Sequence, residues 1–85
     1  MASMSINQWD RRDEDSAMFE RLKSEMMESY RDAVKLLQHN GREMAQYLYG
    51  RGDACKSLLE KMFEFKPEQE IDEVDSLLAV LEEEL

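Results

Sequence analysis

The strongest constraint on this chain is an apolar rhythm that holds helical step over residues 19–62. Phe19, Leu22, Met26, Tyr30, Ala33 and Leu37 recur at steps of three and four, with charged or polar Glu20, Arg21, Lys23, Ser24, Glu28, Arg31, Asp32 and Lys35 between them. The same phase then reaches Asn40, Met44, Leu48, Arg51, Cys55, Leu58 and Met62. The mean step is about 3.6 residues, the period of a straight α-helix. Strand alternation is absent from the pattern, so the expected class is all-α.

Glycine decides where so long a helical pattern divides. One interior glycine costs about 0.8–1 kcal/mol relative to alanine, and Gly50 with Gly52 cost about twice that. Asp53 follows them and is a good N-cap, so Tyr49-Gly50-Arg51-Gly52-Asp53 is the expected break. His39-Asn40-Gly41 is the second site where the helix is expected to end. The resulting layout is a main helix from Asp15 to Tyr49, interrupted or not near Gly41, and a second helix from Asp53 to Phe65. Lys66-Pro67 closes the second, because the residue before proline resists the helical region.

The segment from Pro67 to Leu85 has a different character. It carries Glu68, Glu70, Asp72, Glu73, Asp75, Glu82, Glu83 and Glu84 and no basic residue, which is eight of the chain's 20 acidic side chains. Residues 1–66 hold 11 basic and 12 acidic side chains, so nearly all of the net charge of −9 belongs to this tail. Ile71, Val74, Leu78, Leu81 and Leu85 alternate in steps of four and three and form one apolar stripe, as in a docking helix. In heptad terms, Glu70, Leu77 and Glu84 occupy g and Asp75 and Glu82 occupy e. Those carboxylates repel an identical parallel helix and favour a basic surface, in the same chain or another.

Three domain-level segments follow: an N-terminal flexible arm over 1–14, a helical body over 15–66 and the acidic amphipathic helix over 67–85. Within the arm, Ser5 and Gln8 have capping-box spacing and Met4 and Trp9 that of a hydrophobic staple. A chain of 85 residues builds only a marginal core. The expected architecture is therefore a small antiparallel helical bundle or helical hairpin with a C-terminal acidic helix, oligomeric through Phe19, Leu22, Met26, Tyr30, Ala33 and Leu37.

Chemistry-bearing residues are sparse. One histidine, one cysteine and no C-x-x-C or H-E-x-x-H spacing give no basis for a catalytic, cofactor or metal site. His39 reads as a helix-terminal residue, and Cys55, on the apolar stripe, as a small buried hydrophobe. Arg51-Gly52-Asp53 matches an adhesion tripeptide too short to be specific, and a turn with an N-cap explains it. Ile71, Val74, Leu78 and Val80 match a leucine-rich nuclear export pattern that amphipathic helices meet by chance. The methionines Met18, Met26, Met27, Met44 and Met62 suit either a core or an adaptable groove for a partner helix. Tyr47 and Tyr49, two positions apart, point about 200° apart on a helix, so at least one lies near solvent or a partner.

The acidic balance disfavours direct binding to nucleic acid or to an anionic membrane. No apolar run has the length of a signal peptide or a membrane span, and the single cysteine suits a reducing compartment, so the chain is expected in the cytoplasm or nucleus. Its expected role is non-enzymatic: a small adaptor, assembly factor or chaperone-like subunit that binds a partner protein with a basic and apolar groove. Ile71, Val74, Leu78 and Leu81 are the expected apolar anchors, Asp72, Asp75 and Glu82 the steering charges, and Trp9 a further anchor. The alternative is an acidic nucleic-acid mimic that occupies a basic groove on a nucleic-acid-binding protein.

Overall fold

The computed structural model describes the backbone of residues 2–85 and the side chains of residues 15–85. The readings of Met4, Ser5, Gln8 and Trp9, and of 1–14 as a separate arm, rest on side chains outside the described residues. Among the described residues four helices follow in order: α1 (Ala2–Gln38), α2 (Arg42–Phe63), the single turn α3 (Pro67–Glu70) and α4 (Asp72–Glu84). The all-α expectation holds, and no strand occurs among the described residues.

The first helix ends at the second of the two expected breaks. Asn40 takes a left-handed conformation, φ 63°, which asparagine tolerates better than most residues. Gly41 N–H then donates to the Leu36 carbonyl at 2.7 Å and Asn40 N–H to Leu37 at 3.4 Å. This pair of bonds is a Schellman motif, which satisfies carbonyls the helix end leaves unpaired. Gly41 packs closely on Leu36: a Cβ there would stand 3.0 Å from Leu36 Cδ2 and 3.2 Å from its Cβ and carbonyl oxygen, so a larger residue would require Leu36 to shift.

The break expected at Tyr49–Asp53 does not form, and α2 runs through it. Gly52 is present because α1 comes close: a Cβ on it would lie 2.6 and 2.7 Å from Cε1 and Cδ1 of the Tyr30 ring. Asp53 is not an N-cap but accepts a 2.6 Å hydrogen bond from the Tyr30 hydroxyl. Helix α2 returns antiparallel along α1 as far as Phe19, whose ring meets those of Phe63 and Phe65 edge-on at 5.4 and 5.0 Å.

The chain leaves α2 through Glu64, φ 53°, whose N–H and that of Phe65 both reach the Leu59 carbonyl. Pro67 sits buried at the start of α3. The acidic segment is not one continuous helix, because Ile71 is extended at φ −125° and ψ 108° and separates α3 from α4. One core joins all three long helices: Met26, Met27, Tyr30 and Ala33 from α1, Ala45, Cys55 and Leu59 from α2, and Val74, Leu78 and Leu81 from α4. No helix of the described residues is long and apolar enough to cross a membrane.

Candidate functional site

Helix α4 spends its apolar stripe on its own chain. Val74, Leu78 and Leu81 are buried, Ile71 and Leu85 half-buried, and together they close over α1. The spacing that marked them as anchors for another molecule is that of any docking helix. Here the surface docked upon is the chain's own hairpin, so these residues are not free apolar anchors. The stripe expected to make an oligomer is likewise internal: Met26, Tyr30 and Ala33 are fully buried, while Phe19, Leu22 and Leu37 pack around them.

Basic groups of the body receive part of the tail's acid. Arg31 donates through Nε and Nη2 to both Glu73 oxygens, at 2.5 and 2.8 Å. This fork holds the Glu73 carboxyl below its ordinary range and raises the Arg31 guanidinium. Lys56 of α2 pairs with Glu68 of α3. Burial works against the Lys56 charge most strongly of any single cause, yet the Glu68 bond and the charges of Glu68, Glu60 and Asp53 together outweigh it and the pKa is raised. Asp72, Asp75 and Glu82 remain exposed, and Glu82 shares a surface cleft with Tyr49, Asp53, Lys56 and Glu60 of α2. The steering charges thus stay outward while their apolar neighbours are internal.

Tyr30 is the pivot of this side. Its ring is fully buried against Gly52 and meets Tyr49 edge-on at 6.2 Å. Burial and then the Asp53 bond push the hydroxyl far above the ordinary tyrosine range. The tripeptide Arg51-Gly52-Asp53 is consequently neither a loop nor a turn. Its glycine lies beneath one tyrosine ring and its aspartate is held by the same residue.

The opposite side of α2 is uncovered. Tyr47 is 64% exposed, Met44 and Met62 55% and Leu58 43%, all within one helical stripe that also holds exposed Arg51 and Ala54. Leu58 stands about 200° from Lys56, which faces α3, so this stripe looks away from the tail. Beside it, Gly50 has nothing within 4 Å of where its Cβ would stand apart from its chain neighbours and the backbone of its own helical turns. An interior glycine with open space costs helix stability of about 0.8–1 kcal/mol, and no contact within the chain requires it. At the hairpin end, Met44 and Tyr47 line an open cleft of about 730 Å³ with Asn40, Gly41, Arg42 and Glu43.

The sequence periodicity placed Met44, Arg51, Leu58 and Met62 of this stripe in one phase with Leu48 and Cys55. The Asn40–Gly41 turn resets the phase, so the true core face of α2 is Ala45, Leu48, Gly52, Cys55 and Leu59. Two signals for it were present in the chain: Arg51 interrupts the extrapolated stripe, and Ala45, Gly52 and Leu59 recur every seven residues. The methionines divide accordingly, with Met26 and Met27 buried and Met18, Met44 and Met62 exposed. Tyr47 and Tyr49 divide as their spacing requires, one outward and one against Tyr30.

Cys55 is buried, with its thiol 4.0 Å from a Glu25 oxygen. Burial and then the Glu25 charge raise its pKa, the opposite of what a reactive thiolate needs. His39 is exposed in the turn after α1. Among the described residues, no group of three or more His, Cys, Asp or Glu side chains converges as metal ligands would. No known protein family matches this chain, and neither does any curated protein or solved structure.

Proposed function

We propose that this chain is a non-enzymatic protein–protein interaction module, of the adaptor, assembly-factor or chaperone-subunit kind. It has two contact surfaces: the apolar stripe on the outer face of α2 and the outward carboxylates of α4. The observation that carries the reading is the exposure of Met44, Tyr47, Leu58 and Met62 along one face. Scattered exposed apolar residues are ordinary, whereas large ones aligned on a single helix mark a surface that binds. Methionine adapts its shape and tyrosine buries a ring while keeping its hydroxyl wet, so this mixture suits a protein surface.

Asp72, Asp75 and Glu82 supply charge without apolar anchoring. They speed and orient the approach of a basic partner surface more than they hold it. The nucleic-acid-mimic reading draws on these same carboxylates, and salt separates the two. A mimic loses affinity steeply as salt rises and is displaced by DNA or RNA, while apolar docking through α2 is much less sensitive.

A photo-crosslinking residue in place of Tyr47, introduced in cells and compared with one in place of Asp32 on exposed α1, tests the reading. Protein adducts are expected from position 47, absent from position 32, and lost when Leu58→Glu is added. Absence of adducts from position 47 contradicts the reading.

A further inference from the structure

We infer that the outer face of α2 is a self-docking surface on which a second copy of this chain lies antiparallel, about a two-fold axis near Gly52–Asp53. This rests on the reading of α2 as a contact surface and names its occupant.

The face is self-complementary only in that direction. When two antiparallel helices pair, the numbers of facing residues have a constant sum. A sum near 105 sets Tyr47 of one copy against Leu58 of the other, and Arg51 against Ala54. It brings Met44 of one copy to Met62 of the other within one residue, and Glu43 to Lys61. Large apolar side chains meet at both ends, small Ala54 lies at the middle beside Arg51, and opposite charges meet at the edge. Gly50, which no contact within the chain uses, flanks Ala54 and leaves the centre low enough for two helix backbones to approach. The cleft beside Met44 and Tyr47 lies where Met62 of the other copy arrives.

Charge selects a second copy through this face and not another. The chain carries −9, so two copies repel at long range. The outer stripe of α2 is the exception, with Arg51 and Lys61 against Glu43, two minus one or +1, while Asp53, Lys56 and Glu60 lie on the flank that meets α3 and α4. The acidic α4 lies on the far side of the hairpin. Pairing through α2 therefore brings together the least repulsive surfaces and keeps the carboxylates outside. The paired hairpins form a four-helix arrangement, which enlarges a core small for 85 residues. Arg51 is the unfavourable residue, since its two copies approach across the axis. Its stem lies over Ala54 while the guanidinium reaches the rim.

The stripe from Met44 to Met62 is about 27 Å long at helical rise, which places the interface at the small end of specific ones. Association is read by sedimentation equilibrium of the full chain from roughly 5 to roughly 500 μM, a range that brackets a small interface. The average mass is expected to climb from 10.1 kDa towards twice that value. Added salt should tighten the dimer by screening the net charge, and Arg51→Leu should tighten it further. Tyr47→Glu with Leu58→Glu should leave a monomer at every concentration, with helical circular dichroism unchanged because both side chains are exposed. In a Cys55→Ala background, mixing Met44→Cys chains with Met62→Cys chains under oxidation should give the mixed cross-link in excess of either self cross-link.

A full chain that stays at 10.1 kDa throughout overturns the inference. So does a dimer that survives the double glutamate substitution, or one in which Met44→Cys chains link chiefly to themselves. A monomer that still gives cross-links to other proteins from position 47 would remove the second copy and leave the interaction-module reading standing.

Discussion

The two flanks of the α1–α2 hairpin use similar residues to opposite ends. On one flank, Val74, Leu78 and Leu81 of α4 close over Met26, Met27 and Tyr30, and the Arg31–Glu73 fork seals the edge. On the other, Met44, Tyr47, Leu58 and Met62 are spaced just as regularly and meet solvent. Amphipathic spacing thus says that a helix face docks, without saying on what. The partner is set by turn geometry: Glu64 and Ile71 redirect the chain so that α4 covers one flank and leaves the other open.

Truncation within each flank separates them most sharply. Leu81→Ala, at a fully buried position, should cost about 2–5 kcal/mol by urea unfolding. Leu58→Ala on the open flank should stay within about 0.5 kcal/mol at concentrations where the chain is monomeric. Equal costs would mean that the two flanks are equally packed.

The two glycines of α2 make a second pair. Gly52→Ala forces the buried Tyr30 ring to move, an overpacking cost of about 1–3 kcal/mol that the gain in helix propensity only partly offsets. Gly50→Ala meets nothing and should stabilise the folded chain by about 0.8–1 kcal/mol. Thermal unfolding of both variants is the check, and the opposite signs are the expected result.

Tyr30→Phe removes the hydroxyl bond to Asp53 and should cost about 0.5–1.5 kcal/mol at neutral pH. Its pH dependence has a definite sign. The folded chain holds the Tyr30 proton more tightly than the unfolded chain, so this stabilisation is complete below the unfolded value near 10 and declines as pH rises beyond it. Urea midpoints measured through that range should fall more steeply for the parent chain than for Tyr30→Phe. The smallest effect belongs to Glu73, on the sealed edge of the covered flank. Its lowered pKa makes its contribution present above the ordinary value of 4.5 and lost as pH falls through the folded value, so Glu73→Gln should slightly flatten the acid limb.

Much of this architecture was legible in the chain. The three–four spacing of Phe19 to Leu37 marked α1 and its buried face, and Pro67 marked the start of the acidic segment. The position of the main break was not legible from propensity alone. Two glycines and an aspartate outweigh Asn40-Gly41 locally, but the tertiary contact of Tyr30 with Gly52 reverses the preference. The candidate contact face was hidden for a related reason. A few residues of non-helical turn shift the phase of everything after them, and Met44, Leu58 and Met62 left the core stripe with that shift. The carboxylates of the acidic segment announced a basic counterpart, but the two that find one within the chain are Glu73 of α4 with Arg31 and Glu68 of α3 with Lys56. They are not the flanking Glu70, Asp75, Glu82 and Glu84, and no local pattern specifies that pairing.

The covered flank is the central claim, and the double substitution Leu78→Asp with Leu81→Asp addresses it directly. Urea unfolding followed by circular dichroism should show the whole chain, α1 and α2 included, destabilised or unfolded, because the two buried leucines belong to the common core. A variant that loses only the signal of α4, while the hairpin unfolds at the parent midpoint, would show that α4 is not part of that core.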